Sequence, residues 1–140
     1  MKQEISILVI SPNESLFYAV SNGAYDTNEN IRVYRTSNVS EAHPIMKGLA
    51  VSSAKLQIYL DSKYSKSDAQ IFLRMLDKDY PAVSRRMVVL TDDASNISSI
   101  VSLACAECVG DVLNYPVSPG EVEKTVKRQF PNFATSIPTP

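Results

Sequence analysis

The sequence predicts an α/β protein: a doubly wound, five-stranded parallel sheet covered by five helices. Three observations predict it. Short apolar runs of four to six residues recur five times along the chain. Each is followed by a longer stretch with helical spacing, and the runs close at polar or acidic residues suited to turns. Strands that alternate with helices form a parallel sheet, because a parallel neighbour is reached only by a long crossover, and the crossovers cover both faces.

The first run, Ile5 to Ile10 (ISILVI), is apolar on both parities but for Ser6, as a central strand buried on both faces requires. It ends at Ser11-Pro12-Asn13. The helix after it, SLFYAVSNGAY, sets Leu16, Phe17 and Val20 on one face and carries Gly23 near its end, the place of a C-terminal cap. Ile31 to Tyr34 (IRVY) is a second strand between polar segments. Ser40 and Glu41 open a second helix with Ile45, Met46 and Leu49, and His43 before Pro44 belongs to its start. Leu56 to Leu60 (LQIYL) is the third strand, stopping at Asp61.

A polar loop, SKYSKS, leads to the helix DAQIFLRMLDKDY, where Ile71, Phe72, Met75 and Leu76 form a core-facing stripe that Pro81 ends. Met87 to Leu90 (MVVL) is the fourth strand, closed by Thr91-Asp92-Asp93. Ile97 to Glu107 is the fourth helix, Val109 to Leu113 the fifth strand, and Pro119 to Gln129 the last helix. The expected domain is residues 1–130. Residues 131–140 are uncharged and hold three of the eight prolines, so they read as a linker to a further domain.

Composition narrows the function classes. A chain of 140 residues with 44% hydrophobic and 21% charged residues buries enough apolar surface to fold without disulfides or structural metal. Its formal charge of -1 offers no general attraction to nucleic acid or anionic lipid. The apolar runs are far too short to cross a bilayer, and no signal-peptide core follows Met1, so a cytoplasmic protein is expected. Cys105 and Cys108 form a C-x-x-C at the end of an apolar helical stretch, where the helix dipole opposes a thiolate. With His43 as the single histidine, no metal-ligand set is expected. Neither G-x-G-x-x-G nor G-x-x-x-x-G-K-[ST] occurs.

In doubly wound sheets, function gathers at the carboxyl ends of the strands. Those ends read LQIYLD, VVLTDD and LNYP, and at these intervals residues 5–129 resemble the receiver domain of bacterial response regulators, a flavodoxin-like fold. The resemblance implies that Asp61 stands where the family has its phosphoacceptor and Thr91 where a hydroxyl bonds a phosphoryl oxygen. Two parts depart. The acidic pair that holds Mg²⁺ after the first strand is replaced by Ser11 and Pro12, with Glu14 the nearest acid. The lysine before the proline is Tyr115, ahead of Pro116, and the switch aromatic of the fifth strand is Val112.

These departures weigh against the chemistry. Mg²⁺ binds hard, charged oxygens in octahedral geometry, and phosphoryl transfer depends almost wholly on charge stabilisation by metal and cations. A phenol in place of an ammonium donates only a neutral hydrogen bond. If each lost element costs about 2 to 4 kcal/mol, losing both slows phosphorylation by about three orders of magnitude or more.

The expectation is therefore a phosphorylation-independent receiver-like interaction module, not an enzyme, without cofactor, and the N-terminal regulatory part of a larger bacterial protein. A transcriptional regulator or a pilus-assembly or localisation ATPase is the expected context, since atypical receivers of this kind look like those fronting tight-adherence pilus ATPases. The resemblance implies a protein partner or homodimer through the fourth helix, fifth strand and fifth helix. That face carries Ile97, Ile100, Val101, Val122 and Val126, with Lys124, Lys127 and Arg128, and no direct role with nucleic acid or membrane is expected. Two alternatives stand beside it: a working phosphoacceptor at Asp61 that binds Mg²⁺ through unusual ligands, and a flavodoxin-like small-ligand binder.

Overall fold

The computed structural model describes residues 5–27, 30–52, 55–61, 66–80, 87–91, 111–114 and 117–130. Five strands form one sheet in the order β2-β1-β3-β4-β5: β1 Ile5–Ile10, β2 Ile31–Thr36, β3 Leu56–Asp61, β4 Met87–Thr91 and β5 Asp111–Asn114. Every pairing is parallel. The described helices are α1 Glu14–Asp26, α2 Val39–Ser52, α3 Lys66–Asp79 and the C-terminal helix Pro119–Gln129. The expected fourth helix, with Ile97, Ile100, Val101, Cys105 and Cys108, lies outside the described residues, as do Tyr115 and residues 131–140.

Strand alternation divides the core into two layers. Leu8, Ile10, Leu56, Ile58, Leu60, Met87 and Val89 pack with Met46 and Leu49 of α2 and Phe72 and Leu76 of α3. Ile5, Ile7, Val9, Tyr59, Val88 and Leu90 pack on the other face with Leu16, Val20 and Ala24 of α1 and Val122 and Val126 of the C-terminal helix. β1 and β3 are buried at every position, the polar Ser6, Gln57 and Asp61 included, as central strands covered on both faces are.

The helix ends follow local chemistry. Asn13 caps α1 through its side chain, which accepts from the Ser15 N–H at 2.9 Å. At the C-terminal helix Ser118 accepts from the Glu121 N–H, Glu121 accepts from the Ser118 N–H, and Pro119 occupies the first turn. This reciprocal cap fixes the start that the sequence predicts at Pro119.

Several expectations are corrected. Helix α2 begins at Val39, not at Ser40, because Asn38 is its cap: the Asn38 side chain accepts from the Glu41 N–H at 2.9 Å and donates to the Glu41 carboxylate at 2.6 Å. His43 and Pro44 thus sit inside the helix, with His43 exposed. Helix α3 reaches back to Lys66, taking two residues from the expected polar loop. β2 extends to Thr36, β3 includes Asp61, β4 includes Thr91, and β5 runs from Asp111 to Asn114 in place of 109–113.

Two further corrections concern packing. Ile71 is 66% exposed while Phe72 and Leu76 are buried. Each helical step turns about 100°, so a stripe centred on Phe72 and Leu76 leaves Ile71 on its flank. Gly23 is not a cap but a buried helical residue; α1 ends at Thr27, in right-handed conformation. A Cβ at Gly23 would lie 2.5 Å from the Pro119 carbonyl oxygen and 2.5 Å from the Val122 Cβ, so the glycine lets α1 and the C-terminal helix meet backbone to backbone.

Candidate functional site

The sheet order reverses at β1, which pairs with β2 on one side and β3 on the other. That switch point lies at the carboxyl ends of β1 and β3, where sheets of this kind place their sites. Ile10 is paired with Leu60, so the next residues on the two strands, Ser11 and Asp61, emerge side by side. They also share a parity with Val9 and Tyr59, and so belong to the α1 face of the sheet.

Both residues are buried: Ser11 is 1% and Asp61 4% exposed. The Ser11 hydroxyl donates to the Asp61 Oδ2 at 2.7 Å and accepts the Asn13 N–H at 3.0 Å. Its own N–H continues the β1–β2 ladder by donating to the Thr36 carbonyl at 2.9 Å. A short hydrogen bond to a carboxylate is the stronger, charge-assisted kind, and here it is intramolecular.

Sequence reasoning singles out Ser11, Pro12 and Glu14 after β1 but misses Arg35. The expected β2 stops at Tyr34; the observed strand carries on, and alternation sets Arg35 on the same face as Ile31 and Val33, beside Val9 of β1. Its guanidinium reaches over the β1–α1 turn, donating from Nη2 to the Pro12 carbonyl at 3.0 Å and from Nε to the Ser11 carbonyl at 3.4 Å. Nη1 lies 3.7 Å from the Glu14 Oε1. The signal available in the sequence is the parity of Arg35 with Ile31 and Val33, read one turn of the pleat further than Tyr34.

The other expected site residues are placed only in part. Asp61 pairs with Leu90, and Thr91 follows it at the end of β4, opposite Asn114. Val112 pairs with Val89 within the sheet. Tyr115 and Pro116 lie outside the described residues. On the expected interaction face, Val122 and Val126 are core residues at 0% and 2% exposure, so neither is available to a partner. Lys124, Lys127 and Arg128 are exposed, and Lys127 is paired with Glu123 at 3.0 Å.

The Mg²⁺ that the fold family implies does not fit this donor set. An ion of that kind demands near-ideal octahedral oxygen geometry and is held by one or two carboxylates aimed at it together with waters. Ser11 presents a hydroxyl already donated to Asp61, Pro12 has no side-chain donor, and the Glu14 side chain is 71% exposed and faces Arg35. Among the described residues no group of three His, Cys, Asp or Glu side chains converges.

No family model matches the chain, and no curated protein sequence does. Solved structures do match, over nearly its whole length. A protein described as a pilus assembly protein (CpaE) from Burkholderia thailandensis superposes with a TM-score of 0.66 at 24% identity, over 89% of this chain and 97% of that one. A response regulator receiver domain protein from Clostridium thermocellum gives 0.72 at 17% identity, over 95% and 99%. The chemotaxis response regulator CheY4 of Vibrio cholerae gives 0.68 at 19%, over 91% and 99%. The chain therefore has the receiver-domain fold. Among the described residues no helix is long and apolar enough to cross a membrane.

Proposed function

We propose that this domain is a receiver-like signalling module that works by protein interaction without phosphorylation of Asp61. The observation that carries the reading is the Ser11–Asp61 hydrogen bond of 2.7 Å. A hydroxyl sits where phosphoaccepting relatives of the fold need a carboxylate, and it directs a proton at the carboxylate that would attack phosphorus. A carboxylate that accepts a strong hydrogen bond is less basic, and so a weaker nucleophile. Without a metal ligand set among the described residues, the charge that builds up in phosphoryl transfer loses the stabilisation that a bound ion gives.

On this reading the domain is not an enzyme and holds no cofactor. The pilus assembly protein among its structural neighbours supports a place as the regulatory domain of a larger bacterial assembly or localisation protein, with 131–140 as the linker. Its partner is another protein or a second copy, meeting the side of the sheet beyond β4, where the C-terminal helix offers Lys124 and Arg128 among its exposed side chains. A cytoplasmic location goes with that role.

The test is direct. Treatment with acetyl phosphate and Mg²⁺, followed by intact mass, is expected to give no phosphoryl adduct, and beryllofluoride with Mg²⁺ is expected to leave tyrosine fluorescence unchanged. A stoichiometric acyl phosphate that disappears in Asp61→Asn would establish Asp61 as a working acceptor and overturn the proposal.

A further inference from the structure

We propose that Arg35 is the resident cation of the β1–α1 turn, holding in place, without a metal, the loop that sets Ser11 against Asp61. The inference rests on the reading of Asp61 as a carboxylate that is not phosphorylated, and it explains how the turn keeps its shape when the ion-binding carboxylates are missing.

The argument begins with the oxygen atoms of the turn. The carbonyls of Ser11 and Pro12, consecutive along the chain, both accept from the Arg35 guanidinium, at 3.4 and 3.0 Å, and the Glu14 carboxylate approaches the same group to 3.7 Å. Three oxygens from residues 11 to 14 thus converge on a single positive group. A planar fork with several fixed donors is the side chain suited to gather oxygens in this way, and a lysine in its place would supply a point charge without the fork.

The consequences reach Asp61 through Ser11. Every polar group of Ser11 is engaged: its N–H with the Thr36 carbonyl, its carbonyl with Arg35, and its hydroxyl between Asp61 and the Asn13 N–H. Thr36 and Arg35 are neighbours on β2, so the edge strand grips the turn from outside while Asp61 grips it from inside. Arg35 is a positioning residue; it acts on the carboxylate through Ser11.

Electrostatics make the arrangement self-consistent and exclusive. The guanidinium lies at the start of α1, where the helix dipole presents positive charge and would repel it. Glu14, the first residue of α1, offsets that repulsion and is itself favoured there. A divalent ion entering the turn would meet a full positive charge and the same helix end, with its oxygen ligands already engaged.

Hydrogen exchange on the full chain tests the proposal, read at the amides of Asn13 and Ser15, with those of Ile7 and Ile58 as references in the sheet. Arg35→Ala is expected to speed exchange at Asn13 and Ser15 by about tenfold or more while the sheet amides hold, a local opening rather than a global one. Guanidinium ion alone is expected to slow exchange again in the variant and to change nothing in the wild type. Arg35→Gln, which keeps much of the stem, carries the same expectation if Arg35→Ala does not fold. Unchanged exchange in the variants overturns the proposal, as does equal acceleration at Ile7 and Ile58. So do failure of guanidinium ion to restore protection and a wild-type turn that already responds to it. The measurement uses no phosphodonor, so its failure is separate from any acyl phosphate found on Asp61 by mass.

Discussion

The Ser11 hydroxyl donates to the Asp61 carboxylate at 2.7 Å, between two residues fifty positions apart that the β1–β3 register makes neighbours. Removing the donor should therefore be costly for a residue so small. Ser11→Ala takes a hydrogen bond from a buried carboxylate and an acceptor from the Asn13 N–H. Bonds to charged groups contribute about 1.5 to 3 kcal/mol, so a loss of about 2 to 3 kcal/mol is expected in chemical denaturation. Ser11→Asp should be less stable than wild type as well, since it sets a second carboxylate against Asp61 in a buried place. A Ser11→Ala protein as stable as the wild type would mean the bond contributes nothing net.

Phe72 and Ile71 are adjacent in sequence and opposite in environment, at 2% and 66% exposure. Ile71 lines a surface groove with Val39, His43 and Met75, while Phe72 reaches the core between α3 and the sheet. Ile71→Ser is expected to change stability by less than about 0.5 kcal/mol, whereas Phe72→Ala should cost about 3 to 5 kcal/mol by losing buried area and leaving a cavity. Thermal melts of the two variants check this; comparable losses would contradict the helix phase.

The sheet was legible because its information is local. ISILVI is apolar on both parities but for Ser6, LQIYLD keeps Leu56, Ile58 and Leu60 on one parity, and Ser118-Pro119 with Glu121 writes out a helix start that the structure reproduces at Pro119. What stayed hidden depends on partners distant in sequence. Gly23 looks like a cap until the C-terminal helix is seen lying on it. Ile71 and Phe72 cannot be ranked without knowing where the sheet lies relative to the helix axis. At the site, Ser11 and Asp61 could be read from strand ends. Arg35 could not, because its role depends on which carbonyls the β1–α1 turn points at β2.

Gln57 is fully buried on the α1 face of β3; its amide nitrogen donates to the Gln129 side chain at 2.8 Å, while its Oε1 has no hydrogen-bond partner among the described residues. An unmet buried acceptor costs about 1 to 3 kcal/mol, and an apolar side chain of similar shape removes that cost along with the bond. Gln129 is half-buried at the end of its helix and reaches water once released. Gln57→Leu is therefore expected to be neutral or to stabilise the domain by about 1 kcal/mol in denaturant titration. A large loss would show that the Gln57–Gln129 bond outweighs the unmet acceptor.

Gly23→Ala sets two effects against each other. Inside a helix, alanine is favoured over glycine by about 1 kcal/mol, which alone would stabilise α1. The new methyl, however, would fall 2.5 Å from the Pro119 carbonyl oxygen and 2.5 Å from the Val122 Cβ, and 2.9 Å from the Val122 Cγ1. Two of these obstacles are a backbone atom and a Cβ, which no rotamer change can move; the helices themselves must separate. Overpacking a tight core costs about 1 to 3 kcal/mol, and prying apart helices that meet through Gly23 belongs at the upper end. The clash wins, and a net loss of about 1 to 2 kcal/mol is expected, lowering the melting temperature by several degrees. Val122→Ala removes only the Cγ1 contact at 2.9 Å and leaves both the Pro119 carbonyl and the Cβ of residue 122 in place, so it should relieve the Gly23→Ala clash only slightly. The double variant should then lose less than the sum of the two single losses. A melting temperature of Gly23→Ala at or above the wild type would show that the two helices lie further apart than 2.5 Å contacts at this crossing require.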